Sequence, residues 1–187
     1  MRGPLRLVVA YALSLAFALQ AIAFAVDERP ATGTLRLQLW FSNDRLNPDA
    51  MDCRAVFPVE RRVPMTRGVA AATLRALFAG STPAEAAAGY RSVFSPASAG
   101  LLKGVHIRNG TAYVDMHDLS QGLSGATSSC GAAEFQAQVL RSLQSYPGIE
   151  RVIYAFEGKP RSFYEWMNES CGPVNDNCDS GPFGAGR

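Results

Sequence analysis

From Leu35 to Phe41 apolar and polar residues alternate strictly, with Leu35, Leu37, Leu39 and Phe41 on one face. A period of two predicts a strand buried on one side. Ser42 to Asp52 is polar and rich in Asn, Asp and Pro, so it reads as a loop. Val56 to Val63 is a second extended run. Pro58 argues for an edge position, and Glu60-Arg61-Arg62 argues for exposure at its far end. Thr66 is the expected N-cap of a helix reaching Phe78, whose inward stripe is Ala70, Leu74, Leu77 and Phe78. Gly80 stands where that helix needs a left-handed residue to close. Thr82-Pro83-Ala84-Glu85 is a capping box with proline at N1, opening a short helix that Gly89 ends. Leu74 to Phe94 is the most fully punctuated stretch of the chain, and it carries no catalytic group.

Tyr90 to Phe94 is extended and Ser95-Pro96-Ala97 breaks it. Val105 to Arg108 and Thr111 to Val114 are joined by Asn109-Gly110, the preferred type I′ hairpin pair. A two-residue turn fixes the register: Arg108 faces Thr111, Ile107 faces Ala112, His106 faces Tyr113 and Val105 faces Val114. Val105, Ile107, Ala112, Val114 and Met116 then share the core face, while His106, Tyr113 and Asp115 point the other way. Asp118 to Ser129 reads as a mobile Gly- and Ser-rich loop. A helix follows from about Gly131 to Tyr146, with Phe135, Val139, Leu143 and Tyr146 inward, and Pro147-Gly148 stops it. Ile149 to Phe156 is a strand, Glu157-Gly158-Lys159 a turn, and Phe163 to Met167 an apolar segment that packs back. Asn175 to Arg187, rich in Gly, Asp and Asn, reads as a disordered tail. These elements predict an α+β fold: a single mixed β-sheet with two main helices packed on one face.

The first 25 residues are set apart. Arg2 and Arg6 precede an apolar run from Leu7 to Leu19, and Ala23-Phe24-Ala25 is a small-x-small cleavage signal. We expect a signal peptide over 1–25, a linker over 26–34, and export to the periplasm or beyond. A retained anchor in the inner membrane is the alternative, since Leu7 to Val26 just reaches the roughly 20 residues a span needs. Lipid attachment is not expected, because the first cysteine is Cys53. The chain has 18 Lys and Arg against 16 Asp and Glu. Both early arginines leave with the signal, so the remainder is near neutral and lacks the basic excess of a nucleic-acid or anionic-membrane binder.

Four cysteines, Cys53, Cys130, Cys171 and Cys178, read as disulfides in an exported chain. Four allow three pairings. A local Cys171–Cys178 bridge across GPVNDN is geometrically easy. No CxxC spacing or His repeat supports a zinc site, and no cofactor is expected. Cys130, ahead of a helix, is the one candidate nucleophile. Asp115 and Asp118 flank His117 and could orient an imidazole, so an envelope hydrolase using Cys130 or this cluster is the alternative functional reading. The bland reading is an exposed strand end with no nucleophile to complete it. Asn109-Gly-Thr111 and Asn168-Glu-Ser170 are glycosylation sequons. Trp40, Phe41, Phe57, Tyr90 and Phe94 could form an aromatic platform, but at strand spacing they read as core.

The order of motifs resembles the GerMN domain, named for a sporulation and germination protein. The matching pieces are VFPVERRVP (Val56 to Pro64), AAATLRALFAGSTPAEAAAGYRSVF (Ala70 to Phe94), IRNGTAYVDM (Ile107 to Met116), SSCGAAEFQAQVLRSLQSYPGIERV (Ser128 to Val152) and FEGK (Phe156 to Lys159). The family usually has Pro where Ser81 stands, and the extension after Phe163 lies outside the match. The resemblance implies a small α/β envelope domain without catalytic residues, similar to ring-building modules of secretion and sporulation assemblies. It also implies a Cys53–Cys130 bridge, because family members keep a cysteine pair at those two places. The expected function is therefore binding or assembly with an envelope protein or another copy. Arg61 and Arg62 on the blunted edge, and Tyr113 and His106 on the outer hairpin face, are the expected contact residues.

Overall fold

Strand β1 (Thr34–Asn43) buries Leu37, Leu39 and Phe41 completely and turns Arg36 and Gln38 to solvent, as its alternation dictates. The computed structural model describes residues 33–123, 125–172 and 177–184. The expected signal segment and residues 26–32 of the linker lie outside the described residues. Along Thr34 to Phe41, β1 pairs antiparallel with β2 (Phe57–Pro64). At Ser42 and Asn43 it pairs on its other side with β3 (Tyr90–Arg91). Between those two pairings the β3 side of β1 is completed by hydroxyl groups. Ser142 Oγ accepts from the Trp40 amide at 2.9 Å, and Ser145 Oγ donates to the Gln38 carbonyl at 3.5 Å.

The second half of the chain forms its own sheet. Strands β4 (Leu102–Arg108) and β5 (Thr111–Met116) make the hairpin in the register that Asn109-Gly110 dictates, with Arg108 opposite Thr111 and His106 opposite Tyr113. β6 (Arg151–Phe156) lies parallel to β5. The fold is α+β, and the sheet order is β2-β1-β3 and β4-β5-β6: two three-stranded sheets, where the pattern predicted one. α1 (Val69–Phe78) packs on both β1 and β4, so the two sheets meet through a helix and not through strand pairing, which a pattern of buried faces cannot disclose. The long helix α3 (Ser129–Leu143) packs on β1 and α1 and touches β6, so both sheets share one core with the two helices. Phe78, Phe94 and Phe135 pack in series through that core, with ring centroids 4.8 and 5.0 Å apart.

Local chemistry sets the boundaries. Thr66 accepts from the amide of Gly68, but Gly68 itself occupies the N-cap of α1, two residues later than expected. Gly80 closes α1 at φ +76, and a Cβ there would lie 2.5 Å from the Phe94 carbonyl oxygen. Both hydrogen bonds of the Thr82–Glu85 capping box open α2 (Pro83–Ala87). Ser128 caps α3 by accepting from Gly131, so that helix starts and ends slightly earlier than predicted. The inner hairpin face is only partly buried. Ala112, Val114 and Met116 are fully enclosed, but Val105 is half-buried and Ile107 is 48% exposed, because β4 is an edge strand that runs past α1.

α4 (Pro160–Trp166) packs on β6 and seats Phe163 against Tyr154 and Phe135. The expected disordered tail differs where it is described. Asn177 is buried and accepts from the Gly172 amide, and the short α5 (Gly181–Gly184) lays Phe183 on the hairpin. The tail's composition concealed one anchoring aromatic and one buried amide. The rest of that tail, 175–176 and 185–187, lies outside the described residues.

Candidate functional site

Both disulfides are formed. Cys53 and Cys130 join across a Cα separation of 5.1 Å, and Cys171 and Cys178 across 5.2 Å. Cys130 therefore has no thiol, and the nucleophile considered for it is absent in this state of the protein. The first bridge ties the loop after β1 to the start of α3, and the second closes a loop just ahead of the segment that carries Phe183.

The outer face of the hairpin holds most of the other candidates. His106 stacks on Tyr113 with centroids 5.0 Å apart. The ring of Phe183 stands edge-on to both. These two expected contact residues are thus partly covered by the chain's own C-terminal segment. Past the end of β5, His117 Nδ1 lies 3.0 Å from Glu157 Oε1, and Lys103 Nζ lies 2.6 Å from Glu157 Oε2. Hydrogen bonds from Lys103 and then His117 pull the Glu157 carboxyl down to about 2. The acids considered as orienting groups for His117 do other work. Asp115 accepts from the Gly158 amide at 2.7 Å and lies 3.5 Å from Lys103, while Asp118 accepts from Ser120. Glu157 is the partner that sequence spacing missed, since the β6–α4 turn brings it in from 40 residues away.

Arg61 is not the exposed contact it was expected to be. Its side chain is only 14% exposed and its guanidinium donates to four acceptors. These are the Ala76 and Gly80 carbonyls at 2.6 Å each, Glu85 Oε1 at 2.8 Å and Glu85 Oε2. Burial alone would raise the Glu85 carboxyl. The bonds from Arg61 and from the Thr82 amide overcome that and hold it below its ordinary value. Arg62 does point outward and makes no ion pair among the described residues.

A cleft of about 750 Å³ opens beside the Cys53–Cys130 bridge, lined by Asp44, Arg91, Ser128 and Glu134 among others. Its floor is a polar network that joins β1, β3 and α3. Arg91 Nη1 donates to both Glu134 oxygens at 2.8 and 2.9 Å, and Ser42 Oγ donates to Glu134 Oε1. Ser92 Oγ donates to Gln138 Oε1 at 2.6 Å, and Gln138 Nε2 donates to Glu134 at 3.1 Å. The signal was present: Glu134, Gln138 and Ser142 repeat at i, i+4 along α3, a polar stripe beside Phe135 and Val139. Among the described residues no group of three or more His, Cys, Asp or Glu could hold a metal ion.

The aromatic residues considered as a platform are divided. Phe41 and Phe94 lie in the core, Trp40 sits under Arg141, and the Tyr90 hydroxyl donates to the Pro58 carbonyl. Both sequon asparagines are exposed, Asn109 in the hairpin turn and Asn168 just past α4.

The family model described as "Germane: Sporulation and spore germination" matches residues 38–162, about two thirds of the chain. This chain is a member of the Germane family. The match takes in β1 to the start of α4, so it spans both sheets, both long helices and the Cys53–Cys130 bridge. The Cys171–Cys178 bridge and Phe183 fall beyond it. No curated protein and no solved structure matches the chain. Membership places this Germane domain with sporulation and spore germination. Among the described residues no helix is long and apolar enough to cross a membrane, and two disulfides accord with an oxidising compartment.

Proposed function

We propose that this Germane domain is a non-catalytic module of the cell envelope, exported and cut near Ala25, that binds or assembles with protein partners. The observation that carries the reading is the employment of its reactive groups. Cys130 is locked in a disulfide, His117 and Lys103 share Glu157, and Arg91 and Glu134 hold β3 to α3. Each of these groups is a joint between elements, and a joint of this kind is what a rigid binding module needs. The mature chain is near neutral, which favours a protein partner over nucleic acid or an anionic surface.

The test is complementation of a deletion strain, with intact-mass analysis of the exported form. His106→Ala and His117→Ala should leave function unchanged at normal protein levels. Loss of function in His117→Ala with the fold intact would sink the non-catalytic reading. A mass that retains Met1 would place the protein among anchored envelope proteins.

A further inference from the structure

Setting aside the two-residue β3, the two sheets have four stretches of strand edge that could add another strand, and the protein treats them unequally. The β3 side of β1 is completed by Ser142 and Ser145. On β6 the Tyr154 amide donates to the Tyr164 hydroxyl at 3.4 Å. β2 carries Pro58 and Pro64, which lack the donor that a new strand requires. β4, Leu102–Arg108, has no proline. In a hairpin with a two-residue turn, Arg108 and His106 spend their amides and carbonyls on Thr111 and Tyr113. Val105 and Ile107 therefore aim theirs outward, and among the described residues nothing meets them.

The side chains beside that edge form a receptacle. An apolar groove of about 360 Å³ runs between β4 and the start of α1, lined by Val69, Ala70, Val105, Ile107 and Tyr146, with Arg67 at its rim. Arg108 ends the strand on the opposite sheet face. Neither Arg67 nor Arg108 makes an ion pair among the described residues, so both guanidinium groups are available to a partner.

We propose that β4 is a docking edge for an extended segment of another protein that alternates aliphatic and acidic residues. This deepens the binding role proposed above and rests on it. Main-chain bonds to Val105 and Ile107 would add the segment to the sheet. Its aliphatic side chains would enter the groove and the carboxylates on its other face would meet Arg108, while Arg67, on the groove side, would add to the attraction for an acidic segment without pairing in register. A second copy of this chain is the poorer occupant, since β4 carries no acidic residue to meet the Arg108 of another copy.

The experiment uses the purified protein and two blocked probe peptides, Glu-Val-Glu-Val-Glu-Val-Glu and its Lys-for-Glu counterpart, read by fluorescence anisotropy. The acidic peptide should bind and the basic one should not. Ile107→Pro removes an outward amide that the β4–β5 ladder does not use, so it should abolish binding while circular dichroism stays unchanged. Should that variant unfold, Arg67→Glu with Arg108→Glu decides the matter. It should weaken the acidic peptide by about tenfold or more and let the basic peptide bind. Equal binding of both peptides, or no binding of the acidic one, overturns the proposal. So does an Ile107-dependent dimer in sedimentation, which would make a second copy the occupant. Binding that emerges only after deletion of residues 26–32 would make that segment the occupant, and also overturns it. Partners still captured from envelope extracts by Ile107→Pro, with no peptide bound by the wild type, would remove this edge and leave the binding function standing.

Discussion

Arg61→Ala should be among the most damaging single changes available outside the apolar core. The guanidinium ties β2 to the last turn of α1 and to the capping box of α2, through the Ala76 and Gly80 carbonyls and both Glu85 oxygens. It also lies over the ring of Phe41, 5.2 Å from its centroid. Truncation would leave two helix-end carbonyls and a carboxylate that is only 13% exposed without their cation. Removing one partner of such a pair costs about 3 kcal/mol, which for a domain of this size lowers Tm by roughly 6–12 °C. Urea unfolding under non-reducing conditions, followed by tryptophan fluorescence, would measure the loss. The sign of its pH dependence is fixed. Glu85 is held below its ordinary value, so its pairing stabilises above the unfolded carboxyl pKa and fades as pH falls through the folded one. The gap between wild type and Arg61→Ala should thus be flat from pH 5 to 8, as roughly expected for a carboxylate, and narrow below about pH 4. Arg62→Ala, at the neighbouring outward position, should cost under about 0.5 kcal/mol. A loss below about 1 kcal/mol for Arg61→Ala, or one equal to that of Arg62→Ala, would refute the account.

Three further outcomes can be measured on the same preparations. Val114→Asp places a charge at a fully buried position and should cost about 4 kcal/mol or more, whereas Tyr113→Asp should cost only about 1 kcal/mol, the worth of its ring contacts with His106 and Phe183; equal losses would mean the hairpin faces are assigned the wrong way round. Replacing Cys53 and Cys130 together by serine should cost about 4.5 kcal/mol, against about 2.5 kcal/mol for Cys171 and Cys178, since the first bridge closes the far longer loop. Glu157 should titrate near 2 by carbon-detected NMR, and Lys103→Met should move it up toward the ordinary carboxylate range, with an unmoved titration counting against the Lys103–Glu157 bond.

What the sequence discloses is chemistry settled within a few residues. Thr82 and Glu85 are three apart, Asn109-Gly110 dictates its own turn, and the alternation of β1 names its buried face without reference to anything else. What it conceals depends on distant partners. Arg61 was read as exposed because it is charged, yet it occupies the inward phase of β2, in step with Phe57, Val59 and Val63. Periodicity was the better guide than residue type there, and Glu85, folded in by α2, together with the Ala76 and Gly80 carbonyls makes the position tolerable. Division into two sheets was hidden because strand patterns say which face is buried and not which edge is paired. Glu157 and Phe183 reach the hairpin through a turn and a tail that composition marked as connectors.

The polar network on α3 explains how two sheets can share one core without pairing. A helix seated only by Phe135, Val139 and Leu143 could slide or rotate against β1 with little loss, since apolar contact is non-directional. Glu134, Gln138 and Ser142 remove that freedom. Each lies buried beside the apolar stripe and is satisfied by a defined atom: Glu134 by Ser42 and Arg91, Gln138 by Ser92, and Ser142 by the Trp40 amide. A shift of one residue would strand all three in the interior, at a cost of about 1–3 kcal/mol for each unsatisfied group. The short β3 is held in the same way, by Arg91 reaching Glu134 and Asp44 on either side of it. Those groups therefore look like a binding site from the cleft and behave as a register lock from below. The open side of β4, where outward backbone donors and acceptors stand beside an apolar groove, has no such lock among the described residues, and that is why a partner is proposed to dock there.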